Sequence, residues 1–428
     1  MTRKEMGRWG KALLAGVLVL AALTGCADYQ RALERSSALA LSGEYGGALA
    51  VLEKSSLARS DKNRLLFLME KGLLLHLGGE YALSNEAFEE ADQLVEQLFT
   101  RSLSAETLSF VTNDHLIAYS GADYETVYLN YYKALNFINM GDLEGARIES
   151  RKIDQKLNYF ADTFGSGDRF KESAYLRLLT GLIYEALGEN NDAFIAYRKS
   201  LELYQNNYPK YGVREPDFLW NRLLISARRS GLLEEYRHYL DQAEGLELTE
   251  EDGRPLVAVI VASGMVPIKQ EVFALFPTSQ GFPVKLALPE FVDRKQPVRR
   301  LEVSVDGENW VRPERVEDVE KVARASLEDR NGRILAKAIA RATAKQVAAR
   351  QVEKNNGPLA GLAMQITALV TERADLRSWS MLPAEIHLAL LPAPEDSRQI
   401  LIREGQDRWA CRVRPAETAV RFVTLRLY

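Results

Sequence analysis

The feature that most constrains this chain is a long stretch without proline that carries spaced glycines. No proline occurs between Asp28 and Tyr208, and several units within this stretch share one layout. Each unit has a small residue, a large residue three positions later, a glycine four positions beyond, and then an alanine-rich amphipathic segment. The glycines are Gly43, Gly79, Gly141 and Gly188. Because glycine readily adopts the backbone conformation that ends a helix, this layout predicts antiparallel helix pairs.

Two units match the layout at nearly every marked position. Their marked residues are Gly72, Leu75, Gly79, Phe88 and Ala91 in one, and Gly181, Tyr184, Gly188, Ala193 and Tyr197 in the other. This spacing resembles the tetratricopeptide repeat (TPR), and a generic helical bundle is the alternative. The glycine spacings of 36, 62 and 47 residues exceed the TPR period of about 34. They indicate insertions around residues 98–123 and 158–169, and a weaker fifth unit surrounds Gly231.

The pattern changes in the C-terminal half, where short apolar or alternating segments are bounded by proline and glycine. Such segments predict strands. Four of them precede an alanine-rich helical stretch, and four follow it. They read RPLVAVIVASG, QEVFALFP, FPVKLALP and RRLEVSVDGENW, and then AEIHLALLP, RQILIREG, RWACRVR and AVRFVTLRLY. The helical stretch is broken by Asn-Asn-Gly-Pro at residues 355–358, which predicts a helical hairpin.

We therefore predict a multidomain α + β chain. A signal peptide occupies residues 1–25, an all-α TPR-like array residues 26–245, and a β-rich domain residues 246–428. The β-rich domain is expected to be one antiparallel sheet or sandwich, with the helical hairpin inserted at about residues 314–375.

The N-terminus combines an export signal with a cysteine. A basic start is followed by twelve apolar or small residues, too few to cross a hydrocarbon core of about 30 Å. Leu23, Thr24 and Gly25 then precede Cys26, and this tetrad resembles the lipobox of bacterial lipoprotein precursors. The resemblance implies cleavage before Cys26 and acylation of that cysteine, whereas the alternative is a chance cysteine behind a signal peptide. Ala27 rather than aspartate follows the cysteine. The resemblance therefore implies that the protein is located at the periplasmic face of the outer membrane, in preference to the inner membrane.

Charge and motif content exclude several classes of function. Cleavage before Cys26 leaves 51 Lys and Arg against 58 Asp and Glu, so the mature chain has no overall attraction for nucleic acid. The sequence contains no His-Glu-x-x-His, Gly-x-Ser-x-Gly, Ser-x-x-Lys or phosphate-loop motif, and its four histidines lack metal-ligand spacing. We therefore expect neither an enzyme nor a cofactor, apart from the covalent lipid on Cys26.

Two longer segments resemble a family of TPR-containing lipoproteins from Gram-negative bacteria. They are residues 123–154 and 357–392, and the second contains the pattern Ala-Asp-x-Arg-Ser-Trp-x-x-Leu-Pro-x-Glu-Ile from Ala374 to Ile386. The segment VPIKQEVFALFP also fits. Because no enzymatic activity is established for that family, the resemblance implies an architecture and a location rather than a mechanism.

Two groups of polar residues are candidates for binding surfaces on helices. The first helix of each predicted pair is expected to line a groove for a protein partner. The candidate groove residues are Asn130, Lys133, Asn136 and Arg177. A basic stripe recurs about every four residues on the first hairpin helix, and it consists of Arg330, Arg333, Lys337, Arg341 and Lys345. The stripe is either a solvated helix face or a ridge for anionic lipid, acidic glycan or an acidic partner.

A third candidate follows the hairpin and contains Asp375, Arg377 and Trp379. One interpretation is a structural corner in which Trp379 fills the seam between hairpin and sheet. The other is an exposed binding patch, because tryptophan and arginine are enriched at binding hot spots.

These expectations converge on a non-catalytic scaffold or adaptor lipoprotein in cell-envelope assembly. It would be attached to the membrane through lipid on Cys26 and would bind protein partners through the TPR groove. The alternative is a lipoprotein that binds an envelope glycan or polysaccharide through Trp379 and the basic stripe.

Overall fold

The computed structural model describes residues 30–109, 117–164, 172–243, 255–277, 283–294, 299, 301–393, 396–414 and 418–428. The predicted signal peptide and lipobox, including Cys26, lie outside these ranges.

The described part of the N-terminal half consists of five consecutive helix pairs. Their helices are α1 (30–41), α2 (Tyr45–Lys54), α3 (Arg64–Leu77), α4 (Tyr81–Ser109), α5 (Asp123–Met140), α6 (Leu143–Phe164), α7 (Ala174–Ala186), α8 (Asn190–Asn206), α9 (Phe218–Arg229) and α10 (Leu233–Gln242). The turn inside each pair contains a glycine with φ between 72° and 84°, and these are Gly43, Gly79, Gly141, Gly188 and Gly231. The predicted helix reversals are therefore confirmed, the weaker fifth one included.

Close glycine–aromatic contacts hold the two helices of a pair together. A Cβ added at Gly72 would lie 2.5 Å from the ring of Phe88, and one at Gly181 would collide with the ring of Tyr197. Each helix also packs against the next one along the chain from α2 to α10. The chain therefore contains a TPR-like array. The irregular glycine spacing arises from long second helices, because α4 has 29 residues and α6 has 22.

The described part of the C-terminal half contains nine strands and a helical hairpin. The strands are β1 (Leu256–Ser263), β2 (Ile268–Phe276), β3 (Val284–Val292), β4 (Leu301–Ser304), β5 (Glu314–Asp318), β6 (Glu385–Pro392), β7 (Gln399–Glu404), β8 (Asp407–Arg412) and β9 (Val420–Leu427). All eight predicted strands are present, and β5 is an additional one. The hairpin helices are α11 (Val319–Asn356) and α12 (Pro358–Thr371).

The prediction was one antiparallel sheet or a sandwich. A single antiparallel sheet is wrong, because the described strands form three sheets, and the sandwich alternative describes only the two of them that share a core. The orders of the three sheets are β5-β6-β1-β9, β2-β3 and β4-β7-β8, and β1 runs parallel to β9. The predicted helical range was also too wide at both ends. Residues 314–318 form β5, and residues 372–384 are neither helix nor strand. We call residues 372–384 the crossing segment.

Strand β1 joins two hydrophobic cores. Its Val257 and Val259 pack in a core with Ile400 of the β4-β7-β8 sheet. Its Ala258 and Ile260, which point to the opposite face, belong to the core that runs through the helical array. Burial on both faces explains why β1 reads as a continuous apolar run rather than an alternating one.

Candidate functional site: the first-helix face of the array

The first helices of the central pairs, α3, α5 and α7, meet the C-terminal half of the chain. Helix α5 contacts α11 and β9, while α7 contacts β5 and β9. Helix α3 contacts the crossing segment through Glu70. We call the surface formed by α3, α5 and α7 the first-helix face. It is the surface on which the sequence predicted an open groove for a partner, and the chain covers it with its own residues.

Two buried carboxylates of the first-helix face bind consecutive residues of the crossing segment. Glu125 of α5 accepts a hydrogen bond from the backbone N–H of Trp379 at 2.8 Å. Glu70 of α3 accepts the backbone N–H of Ser380 at 2.8 Å and the hydroxyl of Ser380 at 2.7 Å. Both carboxyl groups are fully buried, where an oxygen without a hydrogen-bond donor would be costly. The pair therefore fixes both the position and the register of the segment.

Trp379 is fully buried between aromatic side chains of the array. Its ring centroid lies 5.7 Å from that of Phe88 and 5.8 Å from that of Tyr132. The exposed-patch interpretation of Trp379 is therefore wrong. The other interpretation, a structural corner, is right in that Trp379 is a buried filler. Its site lies inside the helical array, however, and not between the hairpin and the sheet as predicted.

The other two residues of the predicted patch are also directed inward. Arg377 pairs with Asp375 at 2.7 Å and donates to the carbonyl oxygen of Ile117 at 3.0 Å and to the side chain of Asn63 at 3.1 Å. Its guanidinium group also lies over the ring of Tyr119. Asp375 and Arg377 therefore attach the crossing segment to the chain around the start of α3, and they leave no exposed hot spot.

A second attachment lies at the other end of the face, where β5 meets α7 and α8. The buried carboxylate of Glu317 accepts hydrogen bonds from Ser173 Oγ at 2.8 Å and from the Tyr208 hydroxyl at 2.9 Å. Ser173 is also the N-cap of α7. Tyr204 donates to the carbonyl oxygen of Val316 at 2.9 Å. The array and the β-rich half are thus joined by side-chain hydrogen bonds at two separate places.

Burial changes the protonation of the groups on this face. It raises the pKa of Glu70 to about 7 and that of Glu317 to about 7, although their hydrogen bonds oppose the shift. Burial also lowers the pKa of His76 to about 4, so the imidazole that bonds Asn136 at 2.6 Å is neutral near pH 7. Two carboxyl groups of this interface therefore titrate near neutrality.

The residues predicted to line the groove are buried between helices instead. Asn130 donates to Glu149 of α6 at 2.8 Å, and Lys133 pairs with the same carboxylate at 3.1 Å. Asn136 donates to Ser84 at 2.9 Å, while Arg177 pairs with Asp154 and Glu172. The groove prediction is therefore wrong for Asn130, Lys133, Asn136 and Arg177. Their side chains are buried and bond to other residues of the array instead of facing an open groove.

The basic stripe is likewise not an open ridge. Arg330 pairs with Asp123 of α5 at 3.0 Å, and Arg341 and Lys345 pair with Glu372 at 3.3 and 2.6 Å. Arg341 is buried, Lys337 is partly exposed, and Arg333 is exposed. The ridge prediction is therefore wrong for Arg330, Arg341 and Lys345, because these cations compensate acids at the ends of α5 and α12. Of the side chains on which the glycan-binding alternative rested, Trp379, Arg330, Arg341 and Lys345 have partners within the chain, and Arg333 remains exposed.

Sequence reasoning missed the carboxylates that make the site. Glu70 stands in the segment Leu-Leu-Phe-Leu-Met-Glu-Lys-Gly-Leu-Leu-Leu, where apolar residues occur on every side of the helix. A helix that is apolar all round is buried, so an acid within it requires an internal partner. That pattern was the available signal for Glu70.

The described residues offer no arrangement suited to a metal ion. Within the ranges given above, no group of three His, Cys, Asp or Glu side chains is placed to hold one. Across the same ranges, none of the helices has both the length and the hydropathy required to span a bilayer.

The fold and the site define a repeat protein whose paired helices hold the second half of the same chain. No protein-family model matches the sequence, and no curated protein matches it. A MamA protein is 13% identical with a TM-score of 0.31, covering 52% of this chain and 98% of that one. The apo form of RapI is 12% identical with a TM-score of 0.36, covering 55% and 58%. A Podosopora anserina putative kinesin light chain with TPR-like repeats is 14% identical with a TM-score of 0.32, covering 51% and 94%. At scores this low, the repeat architecture rests on the helix pairs themselves.

Proposed function

We propose that this chain is a non-catalytic scaffold lipoprotein of the bacterial envelope, in which the array is a platform for the C-terminal half. The observation that carries the proposal is the burial of Trp379 and Ser380 against Glu125 and Glu70. Paired-helix arrays generally bind extended or folded protein segments along their first helices. Here that mode is used within one chain, so partners bind other surfaces.

The proposed attachment is a lipid on Cys26, with the protein on the periplasmic face of the outer membrane. The tetrad from Leu23 to Cys26 supports this part of the proposal. More than one acyl chain is needed for lasting attachment, and lipoprotein maturation supplies several.

The attachment is tested by labelling cells with an alkyne-bearing palmitate analogue. We expect the wild-type chain and the Cys411→Ser variant to incorporate the label, while Cys26→Ser does not. Cys411 is the other cysteine of the chain and serves as the matched control. Retention of the label in Cys26→Ser would refute the attachment site.

The partner surface is tested by lysine crosslinking of the native acylated protein followed by mass spectrometry. We expect crosslinks between partners and exposed lysines such as Lys54 and Lys210. Lys133 lies buried in the ion-pair network behind the first helices. Partner crosslinks at Lys133 would contradict the proposal, because they require the helix pairs of the array to open around its ion pairs with Glu89 and Glu149.

A further inference from the structure

Helix α12 leaves an apolar stripe uncovered. Its 14 residues include no charged side chain. Leu359 is 83% exposed, and Leu362 and Ile366 on the same side of the helix are also exposed. Residues at these spacings share one face, and a stripe of this kind normally packs against a core.

Helix α11, the other helix of the hairpin, adds apolar and basic residues to this surface. Val347 is 61% exposed, and Ile339 is also exposed. At about 100° per residue, Val347, Arg350 and Lys354 lie within about 60° of one another around the helix. All three are exposed, so this side of α11 is apolar and cationic.

The β2-β3 ribbon lies beside the hairpin and is apolar on both faces. Val272, Phe273, Leu275 and Phe276 of β2 are each about half exposed, and alternate residues of a strand point to opposite faces. Val284, which pairs with Phe276, lines a cleft together with Ala349 of α11 and Leu369 of α12. The ribbon and the hairpin therefore form one surface, which we call the open apolar surface.

The exposed charges of the hairpin are mostly cationic. Residues 330–371 contain seven basic residues and one acidic residue. Arg330, Arg341 and Lys345 are paired with Asp123 and Glu372, whereas Arg333, Arg350 and Lys354 are exposed, as is the single acid, Glu353. Exposed cations beside exposed apolar side chains are the composition of segments that lie in an anionic membrane interface.

We propose that the open apolar surface inserts into the interfacial region of an anionic phospholipid bilayer. The insertion is shallow, because the 14 residues of α12 rise about 21 Å, which is less than the hydrocarbon core of about 30 Å. Leu359 and Phe273 enter the boundary between headgroups and acyl chains, and Arg350 and Lys354 bind lipid phosphates. This contact is separate from the proposed lipid on Cys26 and adds a second point of attachment.

The test places an environment-sensitive fluorophore on the full chain through a single new thiol. Leu359→Cys and, as a matched control, Leu233→Cys are each combined with Cys411→Ser. Leu233 is an exposed leucine of α10 on the array. With vesicles of phosphatidylglycerol and phosphatidylethanolamine, we expect the label at position 359 to shift to shorter wavelength and to lose intensity to brominated lipids. The label at position 233 should keep the emission of a dye in water.

The charge contribution is tested by adding Arg350→Glu and Lys354→Glu to the Leu359→Cys chain, which should abolish the shift on these vesicles. Vesicles of phosphatidylcholine alone should give little shift. A full shift in the charge-reversed variant would overturn the assignment to anionic lipid.

Three further results would overturn the proposal. One is that the label at position 359 gives the same emission as the label at position 233 on every vesicle. Another is that the emission at position 359 shifts without vesicles as the protein concentration rises, because the surface would then bind a second copy of the chain. The third is that this emission shifts only when a protein partner is added. The Cys411→Ser chain without a new thiol is a separate control for the lipid-attachment proposal. If Cys26 carries a lipid, it has no free thiol and this chain takes up no dye.

Discussion

The first-helix face and the open apolar surface both contain helices with an apolar face, but only the first-helix face is covered by other residues of the chain. On the first-helix face, the crossing segment supplies Trp379 as a filler and backbone N–H groups as donors to Glu70 and Glu125. On the open apolar surface, α12 presents Leu359 and Ile366 to solvent. An amphipathic pattern therefore shows that a helix has an apolar face, whereas the partner of that face depends on distant parts of the chain.

The largest expected difference between the two surfaces concerns truncation of a large side chain. Trp379→Ala should lower the free energy of unfolding by about 3–5 kcal/mol, because it leaves a cavity beside Phe88 and Tyr132. Leu359→Ala on the open surface should change it by less than about 0.5 kcal/mol. Urea denaturation of both variants measures the difference, and similar values for the two would remove the distinction between a closed and an open surface.

The next effect concerns the pH dependence of stability. Glu70 has a pKa of about 7 in the folded protein against 4.5 ordinarily, so folding binds a proton between these values. Stability should therefore fall as pH rises from about 4.5 to 7, by up to about 3 kcal/mol for this group. Glu317 acts in the same direction. His76 acts in the opposite direction. Its pKa is lowered to about 4 in the folded protein, while in the unfolded chain it takes up a proton below about 6.5, so its contribution to stability rises with pH between these values.

Glu70→Gln should remove most of the fall in stability below about pH 6.5, because Glu317 and His76 then oppose each other, and should leave only a small fall between about pH 6.5 and 7. Denaturation midpoints measured at intervals from pH 4.5 to 8 check this, with Glu90→Gln at an exposed site of α4 as control. A wild-type slope that persists unchanged in Glu70→Gln would show that this carboxyl group is not buried against Ser380.

A smaller effect contrasts two glycines in helices. Gly181→Ala should cost about 1–3 kcal/mol, because the added methyl group meets the Tyr197 ring. Gly332→Ala in α11, where no atom lies within 4 Å of the added carbon, should stabilise the protein by about 0.5–1 kcal/mol. Thermal denaturation distinguishes the signs. A stabilising Gly181→Ala would mean that α7 and α8 do not approach closely.

The local features of the fold could be predicted from the sequence because local chemistry determines them. The turn glycines were predictable because each has positive φ, and strand β1 was predictable because burial on both faces makes it apolar throughout. Strand β5 was missed since Glu314 to Asp318 is mostly charged. Its Glu317 becomes acceptable in the interior only through Ser173 and Tyr208, which lie more than 100 residues earlier in the chain.

The site was less predictable than the fold because its contacts join distant parts of the sequence. Trp379 was recognised as a candidate filler, but its binding site is built from Phe88 and Tyr132, more than 240 residues away. Lys133 and Arg177 are predicted to line a partner groove, since a helical pattern does not distinguish a cation in an open groove from one paired with Glu149 or Asp154. Only the neighbouring helices determine which of these applies.

The central claim is that the chain fills the first-helix face of its own array. Amide hydrogen exchange at single-residue resolution tests it directly, because the N–H groups of Trp379 and Ser380 donate to buried carboxylates. The account predicts that both exchange as slowly as the amides in the middle of α5. Exchange as fast as at Asn355 and Asn356, the exposed C-terminal residues of α11, would contradict it.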